Sequence, residues 1–137
     1  DFMNLLGKKR LDHINIYFYE NVKTPRCFHS DYMLDQYKVF FYLDDIETLS
    51  EGPYSYLSKS HIGIYPIIQK ITRYLIKPLL GNDLGCGTWD ALLFSDKCMT
   101  PIFAKKGEVI ITHNRGIHGD FPTKNSFKRR VIVFNYS

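Results

Sequence analysis

The chain has 137 residues, 45% of them hydrophobic and 15% aromatic. That is one domain's worth of chain with enough apolar side chain for a real core, and it excludes a disordered chain and a two-core architecture. The formal charge of +4 and pI near 8.9 are mildly basic, with clusters at Lys8-Lys9-Arg10 and Lys128-Arg129-Arg130, a balance that serves an anionic small molecule as well as a nucleic acid.

Three cysteines, Cys27, Cys86 and Cys98, are odd in number and have no CxxC spacing. They predict reduced thiols in an intracellular, cytoplasmic protein and argue against a zinc site or a disulfide framework. A start at Asp1, without Met and inside an element, predicts a fragment of a longer polypeptide, and no signal peptide is visible.

Residues 1 to 11 read as the end of a helix or a lead-in loop, with Gly7 as a stop. From His13 to Tyr19 the chain alternates, Ile14, Ile16 and Phe18 on one face and His13, Asn15, Tyr17 and Tyr19 on the other, which predicts a strand with one apolar and one polar-aromatic face. Thr24-Pro25 breaks it. Cys27 and Phe28 then lead into His29-Ser30-Asp31, read as extended. Lys38 to Leu43 is a strongly apolar, β-favouring run closed by Asp44-Asp45.

Gly52-Pro53 signals a turn before a short strand. Ile62 to Leu80 is the one clear helical stretch: Pro66 suits its first turn, Ile67, Ile71 and Leu75 repeat at four-residue spacing, and Lys70, Arg73 and Lys77 supply charge. Pro78 is expected to end or kink it. Its charges and prolines argue against a membrane span, and the reading adopted is a helix with one solvated face, packed on the domain. Residues 81 to 99 read as a loop with a short strand or helix near Ala91 to Phe94, and their glycines fit neither a Walker loop nor a Rossmann fingerprint. Strands are expected at Pro101 to Ala104, Glu108 to Thr112 and Arg130 to Tyr136. Short strands separated by turns around a single helix point to an antiparallel sandwich or jelly roll.

Within that frame, His29 and Asp31 stand at i and i+2, and on a strand such positions share a face. Both can reach one metal ion. A second histidine would complete a facial triad of two histidines and one carboxylate, the set that typically holds non-heme iron(II) and leaves coordination positions open. His13, His61, His113 and His118 are all available, and distance in sequence does not choose among them.

The segment GEVIITHNRGIHGDFPTKNSFKRR, Gly107 to Arg130, places His118-Gly119 after a strand and a tight turn, with an arginine eleven residues later. Here the chain resembles the phytanoyl-CoA dioxygenase-like branch of the iron(II)/2-oxoglutarate-dependent oxygenases, which includes ectoine hydroxylase. The resemblance runs from about His13 to the end: His29-Ser30-Asp31 is similar to the family's His-x-Asp pair, Tyr42-Leu43-Asp44-Asp45 with Gly52-Pro53 and Ser58-Lys59-Ser60-His61 to its strand, turn and "PGSH" segment, and His118-Gly119 to its distal histidine.

The resemblance implies a mainly β fold, a double-stranded β-helix (jelly roll, cupin-like) with one inserted helix near 66–77. It implies a single oxygenase domain over 1–137, with 1–12 as lead-in, 13–137 as β-helix core and the family's N-terminal helices missing. The implied metal ligands are His29, Asp31 and His118, with His118 preferred to His113 on motif context and His61 left a structural role. Arg129, preferred to Arg130 on family spacing, would bind the far carboxylate of 2-oxoglutarate, and Tyr17 would line the co-substrate. Cofactors would be Fe(II), 2-oxoglutarate and dioxygen, with ascorbate supporting activity. The reaction would be hydroxylation of a C–H bond in a small organic substrate, with release of succinate and carbon dioxide. Asp31 argues for hydroxylation over halogenation, since halogenating relatives leave that position open.

Phe28, Lys38, Trp89 and the 81 to 99 loop are candidate walls for the substrate, and an inward Lys38 would favour an acidic one. Two departures stand out: Asp120 replaces the small polar residue usual two positions after the distal histidine, and Ser58-Lys59 replaces Pro-Gly. Two other readings remain: a degenerate cupin-like metal-binding domain without turnover, and a nucleic-acid demethylating oxygenase, which would need a basic groove with stacking aromatics. No nucleic-acid partner is expected.

Overall fold

The computed structural model describes residues 7, 9–22, 28–31, 35–80, 95–123 and 126–137. The readings placed on 81 to 94, Trp89 included, and on most of 1 to 8 fall outside those residues. Among the described residues seven strands form two antiparallel sheets. The first has the order β1 (Leu11–Val22), β7 (Phe127–Tyr136), β2 (Tyr37–Tyr42), β5 (Val109–His113), and the second the order β4 (Thr100–Ile102), β3 (Tyr54–Tyr56), β6 (His118–Asp120).

The strands are less uniform than the sequence suggests. β1 and β7 are long, at 12 and 10 residues, and pair along most of their length from Leu11↔Tyr136 to Val22↔Phe127. Between Tyr19 and Val22 the register shifts, where Asn21 takes a φ of 53°. The turn signal at Gly52-Pro53 is a 3-10 turn, Leu49–Glu51, closed by a capping box in which Glu51 accepts the Thr48 backbone N–H at 2.7 Å. Gly52, at φ 60°, reverses the chain into β3.

The core lies between the inner faces of the two sheets. Phe40, Tyr42, Val131 and Val133 from the larger sheet pack against Tyr54, Ile46 and Ala104, and a bridge between Ile46 and Ala104 ties the two loops. A second cluster, Phe28, Leu57, Met99 and Ile117, lies apart from it. On β1 the polar-aromatic face turns inward, Asn15, Tyr17 and Tyr19 being half-buried, while Ile14, Ile16 and Phe18 point out, Phe18 at 68% exposure. The reason is what the inner face must line: a cavity containing charged groups, which tyrosines tolerate and isoleucines do not.

The helix also departs from expectation. α1 (Tyr65–Ile71) passes into a π-helical turn, Thr72–Ile76, and then α2 (Lys77–Leu80), so the coil continues past Pro78. A widened turn just before a proline relieves the clash of its ring with the preceding carbonyls. The Ile67, Ile71 and Leu75 stripe is exposed, whereas Gln69 and Thr72 are buried, Thr72 donating to the Ile68 carbonyl at 2.8 Å. Among the described residues no helix is long and apolar enough to cross a membrane.

Candidate metal centre

His29 and His118 are brought together by the backbone. His29 stands outside the named strands and is held by a single antiparallel bridge, its N–H donating to the His118 carbonyl at 2.7 Å and the His118 N–H returning to the His29 carbonyl at 2.8 Å. β6, only three residues long, is held on its other side by β3 through Tyr56↔His118. This strand was not predicted, because three residues carry no periodicity.

The two rings lie 4.6 Å apart and share one carboxylate: His29 Nε2 is 3.2 Å from Asp31 Oδ1 and His118 Nε2 is 3.3 Å from Asp31 Oδ2. One ligand atom from each of His29, Asp31 and His118 lies within 4.8 Å of the others, and no other such group of three occurs among the described residues. His113 stays outside the cluster. It stacks on His61 at 5.0 Å and its Nε2 meets Asp35 at 2.8 Å.

The protonation pattern fits a metal. His118 is buried, and burial lowers its pKa although Asp31 works the other way. The neutral ring has one N–H, and Nδ1, 2.8 Å from the Gly116 carbonyl, must carry it to bond that acceptor. Nε2 then presents a lone pair toward a carboxylate oxygen. Burial alone would raise the Asp31 pKa, yet the close rings of His118 and His29 and the charge of Lys38 hold it well below the usual carboxylate range. Two acceptors facing each other in a buried site call for a cation between them, and a divalent metal ion answers that need. In this structure Lys38 serves. Its Nζ sits against Asp31 Oδ2 and 3.4 Å from His118 Nε2, since β2 turns Lys38 inward.

A single cavity joins this cluster to Arg129, its wall including His29, Lys38, Phe40, Tyr54, Asp120 and Val131. Arg129 is on the inner face of β7 with Val131 and Val133, and Arg130, on the outer face, pairs with Asp44 instead. Arg129 Nη1 donates to the Gly52 carbonyl and Nη2 to Asp120 Oδ1, both at 2.5 Å, while Nε is buried without a partner among the described residues. Burial works against the guanidinium's charge, but Asp120 outweighs it and raises the pKa.

The guanidinium lies 4.6 Å over the ring of Tyr19, its partner in the β1–β7 register. Tyr17, singled out from the sequence, lines the same cavity two residues along and stacks on Tyr19 at 6.0 Å. The role of Tyr19 was missed, although it shares Tyr17's face. Lys38 and Asp120 were noticed, but not the partners each takes.

No family model matches the chain, and no curated protein does. Among solved structures it is similar to HygX from Streptomyces hygroscopicus with iron bound (15% identity, 94% of this chain and 58% of that one, TM-score 0.64). It is also similar to AviO1 from Streptomyces viridochromogenes Tue57 (17% identity, 98% and 54%, TM-score 0.66) and to SnoN, a non-heme alpha ketoglutarate dependent epimerase from nogalamycin biosynthesis (15% identity, 99% and 50%, TM-score 0.64). At these identities the likeness shows a common fold. The chain spans between 50% and 58% of the length of those three structures.

Proposed function

We propose that this chain carries the catalytic core of an iron(II)/2-oxoglutarate-dependent oxygenase of the phytanoyl-CoA dioxygenase-like kind, built on a double-stranded β-helix and acting on a C–H bond of a small organic substrate. The observation that carries the reading is a cluster of two histidines and an aspartate with ligand atoms within 4.8 Å, whose histidines line one cavity together with a buried arginine. The fold is shared with HygX, solved with iron bound, and with SnoN, solved with Fe3+, alpha ketoglutarate and nogalamycin RO.

His29, Asp31 and His118 would hold the metal through Nε2, a carboxylate oxygen and Nε2, with the Gly116 carbonyl fixing the His118 tautomer. Iron(II), with 2-oxoglutarate and dioxygen as co-substrates, supplies oxidising power for an unactivated C–H bond, with succinate and carbon dioxide as by-products. The protein's own part is binding, orientation and exclusion of water. Arg129 would receive the far carboxylate, its unpartnered Nε aimed at a donor's task. Tyr17 and Tyr19 would flank the co-substrate, and Phe40, Tyr54 and Val131 keep the cavity poor in water. Hydroxylation is the outcome proposed, because Asp31 fills the position that a halide would need.

One observation favours a second reading, a metal-binding domain without turnover: Arg129 is already paired with Asp120. The single-domain organisation over 1–137 and a cytoplasmic location remain parts of the proposal, the latter on the cysteine pattern, of which the exposed free thiol of Cys98 lies among the described residues.

The deciding assay is succinate formation from 2-oxoglutarate by the protein with iron(II) and ascorbate in air, beside His29→Ala and Arg129→Ala. Succinate that disappears in both variants and on chelation supports the oxygenase. Metal binding with no succinate and no oxoglutarate uptake would move the conclusion to the non-catalytic reading.

A further inference from the structure

Asp120 lies two residues beyond a metal-ligating candidate, yet its carboxylate serves the opposite end of the cavity. A guanidinium grips a carboxylate side-on through the fork made by Nε and Nη2, or end-on through its two Nη atoms. In Arg129 both Nη atoms already donate, Nη1 to the Gly52 carbonyl and Nη2 to Asp120 Oδ1. Asp120 thus sits at Nη2, which the two modes share, and Nε is buried with no partner among the described residues. Both side chains of the pair are 4% exposed, so water does little to weaken their attraction.

We propose that Asp120 is an internal counter-ion standing in the place of a co-substrate carboxylate, and that it sets which 2-oxo acid this site accepts. This inference rests on the oxygenase reading. A 2-oxo acid with a second carboxylate must share Nη2 with Asp120 or displace it, and it brings a negative charge beside another. A 2-oxo acid with an uncharged tail of the same length meets an arginine that is already neutralised and suffers neither penalty. The site therefore discriminates weakly between the two, where an unopposed Arg129 would strongly favour the dicarboxylate.

The test is anaerobic titration calorimetry of the manganese(II)-loaded protein with 2-oxoglutarate and with 2-oxopentanoate, in the unmodified chain and in Asp120→Asn. The amide keeps the volume and an oxygen for Nη2 while removing the charge. The unmodified protein is expected to prefer 2-oxoglutarate by less than about tenfold, and Asp120→Asn to raise that preference at least tenfold, with manganese affinity unchanged. A merely structural role for Asp120 would weaken both acids alike.

A preference of a hundredfold or more in the unmodified protein overturns the inference without any variant, which keeps the question answerable if Asp120→Asn does not fold. An unchanged preference in a folded Asp120→Asn overturns it too and leaves the oxygenase reading standing. Binding of neither acid to either metal-loaded protein defeats both.

Discussion

Lys38 sits where a cation is needed, between Asp31 Oδ2 and His118 Nε2. A metal ion entering that space must move the ammonium aside, and the two positive charges then repel each other at close range. Lys38→Met keeps the chain length and removes the charge. It is expected to tighten manganese(II) binding by about tenfold, roughly 1.4 kcal/mol, read by anaerobic titration calorimetry. Weaker binding in the variant would instead mean that Lys38 holds Asp31 in its ligating position. Gly52 presents a different kind of constraint. At φ 60° a side chain there is strained, and a Cβ would lie 2.9 Å from the Phe127 ring. Gly52→Ala should cost about 2–4 kcal/mol of stability in urea denaturation. It also shifts the carbonyl that holds Arg129 Nη1, so oxoglutarate affinity should fall with it.

At the scale of elements, β7 carries opposite duties on its two faces. Arg129 is buried inside, and Arg130 pairs outside with Asp44, Nη2 to Oδ1 at 2.5 Å and Nε to Oδ2 at 3.0 Å, with the Arg130 N–H adding 2.9 Å to Oδ2. The Arg130 hydrogen bonds lower the Asp44 pKa in the folded state. Its folded value lies below the unfolded one, so the unfolded chain binds more protons as the medium is acidified. The contribution to stability is therefore present above the unfolded pKa, about 3.9, and is lost as pH falls through the folded pKa. Asp44→Asn should lower the urea midpoint at pH 7 and make its decline below about pH 5 shallower. A residual slope remains, because the pKa values of Asp35 and Glu51 are lowered as well.

The same elements show what was legible in the sequence. β1, β2, β5 and β7 declare themselves through alternation or β-branched runs long enough to have a period. β6 and the His29 bridge do not, since their geometry is imposed by pairing with β3 and with each other. The helix was legible and its buried face was not, because apolar spacing identifies a stripe without saying what faces it. Of the site, His29, Asp31 and His118 could be read through the family's motifs. The Asp120–Arg129 pair could not, as it joins β6 to β7, and no local sequence pattern couples the two residues.

For the molecule as a whole, the candidate metal centre is a junction between segments distant in sequence: His29 and Asp31 precede β2, and His118 belongs to β6 in the other sheet. An unfolded chain holds these ligands far apart, so a metal ion binds the folded state selectively and stabilises it by mass action. At a free metal concentration a hundred times the dissociation constant, the gain is about 2.7 kcal/mol. For a chain of this length that corresponds to a rise in Tm of roughly 9 °C. Manganese(II), which avoids oxidation of iron in air, is the ion to use, with differential scanning calorimetry as the measurement. His29→Ala should lose most of the rise, and so should Asp31→Asn, which leaves the histidines in place and removes the one anionic ligand. A rise that survives in both variants would locate metal binding elsewhere, and the cavity's assignment would fall with it. A rise confined to the unmodified chain ties the segment before β2 to β6 through the ion, which makes the histidine–aspartate cluster a clasp of the fold as well as its candidate site of chemistry.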